Sequence, residues 1–343
     1  MQRDGKESPV SMEDGPRAVK AGTRKVWRGR ACWTTTCLLL TLTGCKSSRS
    51  IVAVIPRTCG TALWEPEHAG AATAARARGM EIYWNAPMRD DDMPSQIALV
   101  ERSVARGYGG IVVAPIETLP MRTPIRRLMA RGVPVVVVGT DLGIPAGPGL
   151  SYVMSDEQLA GQMAGRRIGT ILHGQGNVAI VGIRPQLTSL VERERSLEAT
   201  LVREFPGIRV VVRRFGLAGA PQEQLSANEI LSGGERIDAI AALTLGSTRG
   251  AYYALVATGK EKTVKLVGFD QDLIPPLRTG GIDAVVAQNT YAMGRIAIEK
   301  LDQERHGIAT PGVTRVPPVL MTQENIDSAE IHAILDLSWW KGQ

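Results

Sequence analysis

From residue 51 onward the chain alternates short β-branched runs with longer amphipathic stretches, in two successive halves of five runs each. Such runs, apolar over most of their length, are what parallel strands look like when crossover helices bury both faces of their sheet. In the first half they fall at 51–55, 80–84, 110–114, 133–138 and 152–154, and in the second at 177–182, 208–213, 239–242, 264–268 and 284–287. The stretches between them read as helices. Those at 64–78, 94–105 and 120–131 are followed closely by Gly79, Gly107 and Gly132, and glycine is the residue that most easily takes the left-handed turn ending a helix. The pattern predicts an α/β chain of two doubly wound parallel-sheet lobes, and 343 residues suffice for two cores of ordinary size.

Ahead of this region stands a different kind of segment. A basic stretch at 24–30 precedes a run of apolar and small residues at 31–43, which ends in Leu42-Thr43-Gly44-Cys45. That is the layout of a secretory signal peptide. At 1.5 Å per residue the run makes roughly 20 Å of helix, short of the ~30 Å hydrocarbon core of a bilayer, so removal is expected rather than a permanent span. The tetrapeptide resembles the lipobox of bacterial lipoproteins, which implies that Cys45 is lipidated, that 1–44 is a leader, and that 45–50 is a short polar tether. Residues 1–23 fit no part of such a signal.

The formal net charge of +6 belongs mostly to that leader: residues 1–44 carry eight Lys/Arg against four Asp/Glu. The remainder mixes both signs, so no basic face for nucleic acid is indicated. Cysteines occur at 32, 37, 45 and 59 and nowhere later, which supports neither a disulfide framework nor a zinc site. His68, His173, His306 and His332 are scattered, and no phosphate-cradling glycine fingerprint is present. No cofactor or metal is expected, and no nucleophile and base can be assembled into an enzyme.

Open α/β sheets bind ligands outside the carboxyl ends of their strands. The polar residues just after each predicted strand are therefore the candidates, and several of them sit in recognisable settings. Residues 55–65 read Ile-Pro-Arg-Thr-Cys-Gly-Thr-Ala-Leu-Trp-Glu; 132–138 read Gly-Val-Pro followed by valines; Ser155-Asp156 precedes Gly161; 192–195 read Glu-Arg-Glu-Arg; and 267–270 read Val-Gly-Phe-Asp. Together these segments resemble the ribose-binding-protein family, the type I periplasmic binding proteins, over about 51–327.

The resemblance implies an N-lobe of 51–154 with 289–317 and a C-lobe of 155–288 with 318–343, joined by a three-segment hinge near Ser155, Gln288 and Pro317-Pro318. It implies a ligand set of Trp64, Asp141, Arg193, Thr244, Asp270 and Gln288. Trp64 corresponds to an aromatic that covers the sugar face, Arg193 to an arginine reaching the ligand, and Asp270 to the carboxylate that accepts from sugar hydroxyls. The sequence also departs from the family: Gly139 stands where an aspartate is usual, displacing that role to Asp141, and Thr244 replaces an asparagine. The implied function is capture of a small polar molecule, a sugar, for an ABC importer whose permease receives it, by a protein held at the cell envelope through its lipid. The alternative output is a ligand sensor feeding a membrane kinase or chemoreceptor.

Read without the family, each candidate has a plainer role. Asp270 can cap a helix, Arg193 can lie on a solvated charged helix face, Trp64 can staple a helix start, and Thr244 and Asp141 can form ordinary turns.

Overall fold

The computed structural model describes residues 50–217 and 219–335; the leader, the tether and Cys45 lie outside the described residues. The elements run β1 (Ile51–Ile55), α1 (Glu65–Ala77), β2 (Glu81–Trp84), α2 (Met93–Ala105), β3 (Ile111–Val113), α3 (Thr118–Ala130), β4 (Val135–Val138) and β5 (Leu150–Ser155). There follow α4 (Glu157–Ile171), β6 (Gln175–Ile183), α5 (Thr188–Glu204), β7 (Gly207–Phe215), α6 (Ala220–Ser232), β8 (Ala239–Ala242), α7 (Leu245–Thr258), β9 (Lys265–Phe269), α8 (Ile274–Arg278) and β10 (Ala284–Ala287). The chain finishes with α9 (Thr290–Arg305), β11 (Val313–Val316), β12 (Val319–Met321) and α10 (Ala329–Leu335). No described helix is long and apolar enough to cross a membrane.

Two six-stranded sheets result, in the orders β11-β5-β4-β3-β1-β2 and β12-β10-β9-β8-β6-β7. Every described pairing is parallel except that of β12 with β10. The reason lies in the strand sequences. Val52 and Val54 face a core built with α1 and α9, while their neighbours Ala53 and Ile55 face one built with α2 and α3. Because side chains alternate across a strand, an unbroken apolar run can only be satisfied by helices on both sides. The second sheet repeats the arrangement, with Ala179 and Val181 in one core and Val178 and Ile180 in the other.

The chain passes between the two sheets' layers three times: from β5 into α4, from β10 into α9, and from β11 into β12. Helix α9 buries Met293, Ala297, Ile298 and Leu301 in the core of the first sheet, although the strand before it belongs to the second. Strand β11 then pairs with β5, and β12 with β10, two short strands that periodicity did not single out. Helices α4 and α5 lie unusually close. A Cβ added at Gly161 would stand 2.3 Å from the Arg193 carbonyl oxygen, so only glycine permits this approach.

Candidate functional site

The carboxyl ends of both parallel sheets face each other across a cavity of about 630 Å³. Five of the six residues singled out above line it: Trp64, Arg193, Thr244, Asp270 and Gln288. They come from both halves of the chain, and the topology explains why: each lies at or just beyond the end of a strand, or in the first turns of the helix that follows.

Asp270 directly follows β9 with a φ of +66°, a left-handed conformation uncommon for a residue other than glycine. It does not cap α8, whose N-cap position is Leu273. The turned backbone instead aims its carboxylate back across the sheet, where Oδ1 accepts from Gln288 Nε2 at 2.7 Å and Oδ2 from the Leu245 amide at 3.1 Å. Gln288 follows β10, the neighbouring strand, so the pair is a direct product of strand order. Asp270 is 4% exposed and retains lone pairs toward the cavity.

Arg193 is not on a solvated face. It is the bulkiest fully buried side chain among the described residues, at 1% exposure. Glu157, at the start of α4 and equally buried, holds one edge of it with both oxygens, Nε at 2.6 Å from Oε2 and Nη2 at 3.1 Å from Oε1. Nη1 donates to the Leu243 carbonyl, and the guanidinium stands 4.2 Å from the centroid of the Phe269 ring. Burial works against this cation, but Glu157 and then Asp270 outweigh it and hold its pKa above the ordinary value. The charges around it behave as a surface helix would, with Glu198 paired to Arg213 in solvent.

Thr244 performs the plainer role foreseen for it while also lining the cavity. Its hydroxyl accepts from the Ser247 amide at 3.1 Å while Ser247 Oγ accepts from the Thr244 amide at 2.9 Å, a reciprocal cap that starts α7. Trp64 occupies the N-cap position of α1 and is 6% exposed.

Asp141 is the correction. It does not line the cavity; its carboxylate accepts from the Gly143 amide at 2.7 Å and thereby turns the loop after β4. A two-residue shift past the strand end carries the side chain away from the cleft, and Gly139, with a φ of +78° and nothing within 4 Å of an added Cβ, borders the cavity in its place. The loop bridges the lobes instead, since the Thr188 hydroxyl lies 3.2 Å from both the Asp141 carbonyl and Thr140 Oγ1. Thr118 donates across the same gap to the Gln186 carbonyl at 2.8 Å, and Asp90 approaches Arg184 at 3.6 Å.

Sequence reasoning passed over three residues of this cleft. Glu157 directly follows the Ser155-Asp156 pair, and nothing in the order of residues reveals that it meets a charge on the next helix. Arg184 follows β6, as the strand-end rule would suggest. Arg57 sits inside the quoted 55–65 segment; its Nε donates to the Pro115 carbonyl at 3.0 Å and its guanidinium carbon lies 5.9 Å from the Trp64 ring centroid. Burial, then the neighbouring Arg184, brings its pKa down to about 10. No group of His, Cys, Asp and Glu among the described residues has the arrangement of a metal site.

A family model described as a periplasmic binding protein domain matches residues 52–307. The chain belongs to the periplasmic binding protein family. This binding protein is 24% identical to the ribose import binding protein of Bacillus subtilis over 257 residues, covering 74% of this chain and 81% of the relative. It is 23% identical to the xylitol-binding protein of Mycolicibacterium smegmatis (78% and 76% covered) and 24% identical to the D-apiose import binding protein of Paraburkholderia graminis (83% and 89% covered). Its fold is that of the type I members. A solute-binding protein from Agrobacterium vitis bound with α-D-tagatopyranose superposes with a TM-score of 0.78 at 22% identity, over 83% of this chain and 99% of that one. Another from Actinobacillus succinogenes with bound D-allose gives 0.74 at 20% identity, over 80% and 98%.

Proposed function

We propose that this binding protein captures a sugar or sugar-like polyol between its lobes and delivers it to an ABC importer. The observation that carries the reading is the Asp270–Gln288 pair beside buried Arg193, set at the ends of adjacent strands on a polar cavity between two sheets. A polyol held there loses its water, and each hydroxyl left without a partner costs about 1–3 kcal/mol. A carboxylate, an amide and an arginine fork meet hydroxyls as acceptor, as both, and as donor, and the face of Trp64 suits the C–H side of a sugar ring. Relatives named as binding proteins for xylitol, D-apiose and ribose support the same class.

In this reading the N-lobe, 51–154 with 289–317, and the C-lobe, 155–288 with the tail, rotate about the three crossings, and ligand favours closure because only the closed cleft engages both lobes. No chemistry is catalysed. The protein works outside the cytoplasm, tethered through lipidated Cys45, and a permease receives the closed form. The test is a thermal-shift screen of the purified protein against pentoses, hexoses, their polyols and amino-sugar derivatives, since a ligand binding only the folded state raises the melting temperature by mass action. A shift with at least one sugar or polyol is expected. Absence of any shift across the panel, together with turnover of one of its members, would replace binding by catalysis.

A further inference from the structure

Five arginines line the cavity, Arg57, Arg89, Arg184, Arg193 and Arg249, and they differ in how far their charge is met. Arg89 is held by Asp91 through two short bonds, Arg193 by Glu157 through two more, and Arg249 by Asp272 in close contact. Those three are neutralised in place. Arg184 has Asp90 at 3.6 Å, longer than a hydrogen bond and reaching across from the other lobe. Arg57 has no carboxylate at ion-pair distance among the described residues; one Nε–H is used on the Pro115 carbonyl, and its two terminal nitrogens have no described partner.

We propose that the ligand carries an oxyanion on its polyol frame, a carboxylate or a phosphate ester, seated against Arg57 and Arg184. This deepens the sugar reading above and rests on it. Arg57, with an open fork, and the loosely held Arg184 are the cavity arginines without a close carboxylate, and the carboxylates left to answer them are Asp90, at 3.6 Å from Arg184, and Asp270, which already accepts from Gln288 and the Leu245 amide. A neutral hydroxyl brings one donor with its acceptors, whereas an oxyanion brings acceptors alone and fits a guanidinium fork with two parallel bonds. The two cations also repel each other, Arg184 being the charge that most disfavours protonated Arg57, against smaller opposing pulls from Asp270 and Asp90. An anion between them turns that repulsion into attraction to both lobes, so closure and recognition become one event.

Calorimetric titration of the purified protein decides the matter, with D-glucose, D-galactose and xylitol as neutral probes and D-glucuronate, D-galacturonate, D-gluconate and D-glucose 6-phosphate as anionic ones. At least one anionic probe is expected to bind about tenfold or more tightly than every neutral one, with the preference shrinking as salt is added. The uronates and gluconate against the phosphate distinguish the two kinds of oxyanion. Arg57→Gln is expected to bring anionic and neutral probes to parity and Arg57→Lys to keep a preference; retention of the full preference in Arg57→Gln would overturn the role of Arg57. Should Arg57→Gln fail to fold, the wild-type comparison and Arg57→Lys remain decisive. Neutral probes binding as well as anionic ones would overturn the proposal and leave the sugar reading standing. Binding of none of the seven probes would overturn the proposal, and the wider thermal-shift panel decides the sugar reading separately.

Discussion

The Arg193–Glu157 pair offers the sharpest test of how this cleft is built. Both side chains are 1% exposed, so replacing Glu157 by glutamine leaves a guanidinium in the interior without its counter-charge. The new amide can accept one of the two bonds, but its NH₂ group faces an arginine donor and the second bond becomes a clash of donors. Removing one partner of a buried pair typically costs about 3–5 kcal/mol. Two neighbours offset part of this: Asp270, whose charge already favours the arginine, and the Phe269 ring below it. The expected loss is therefore at the lower end, about 3 kcal/mol. Urea unfolding followed by far-ultraviolet circular dichroism measures it, and with an m-value of about 1–3 kcal/mol per molar the midpoint falls by about 1–3 M. The double variant Glu157→Met/Arg193→Met removes both charges and is expected to recover most of the lost stability. A loss under about 0.5 kcal/mol for Glu157→Gln, or a double variant no better than the single, would refute the argument that burial makes this pair interdependent.

Asp270→Asn keeps a residue type that tolerates the left-handed backbone but removes the charge, and calorimetry is expected to show sugar affinity reduced by about 10–100-fold with folding intact. Glu67 is buried with neither oxygen hydrogen-bonded among the described residues, and desolvation pushes its pKa up to about 8, against a weaker pull from Arg57. The unfolded chain releases this proton near pH 4.3, so between about 4.3 and 8 the folded state binds more protons. The stability it contributes is complete below that window and declines through it as pH rises, on the order of 1 kcal/mol per pH unit, and unfolding of Glu67→Gln at pH 5 and 7.5 is expected to show that slope removed. Thr188→Val deletes a hydroxyl that touches both Thr140 and the Asp141 carbonyl across the gap. At about 0.5–1.5 kcal/mol for each of the two bonds, the opening equilibrium constant of the ligand-free protein should rise roughly 5–160-fold, seen as a larger radius of gyration in X-ray scattering.

Ten apolar runs with glycine-stopped helices between them contain the fold already, because an unbroken run such as Val135–Val138 has no stable home except between two layers of helix. Strand ends then follow, and with them the neighbourhood of Asp270, Gln288, Thr244 and Trp64, since parallel strands place all their carboxyl ends together. What the order of residues leaves open is direction over short distances. Asp141 and Gly139 are two positions apart, and which one borders the cavity depends on a loop whose turn is set by a bond that the Gly143 amide donates to the Asp141 carboxylate. Strands β11 and β12 are three or four residues each and take their place from partners far along the chain, β5 and β10, so no local period marks them. The fate of Arg193 is decided in the same way. A helix rich in Glu and Arg looks solvated from its own composition, and only the close approach of α4, allowed by Gly161, brings Glu157 to it and turns a surface charge into the floor of the cleft. Local periodicity is a property of the chain; the sign and satisfaction of a charge depend on what packs against it, and only the tertiary structure supplies that partner.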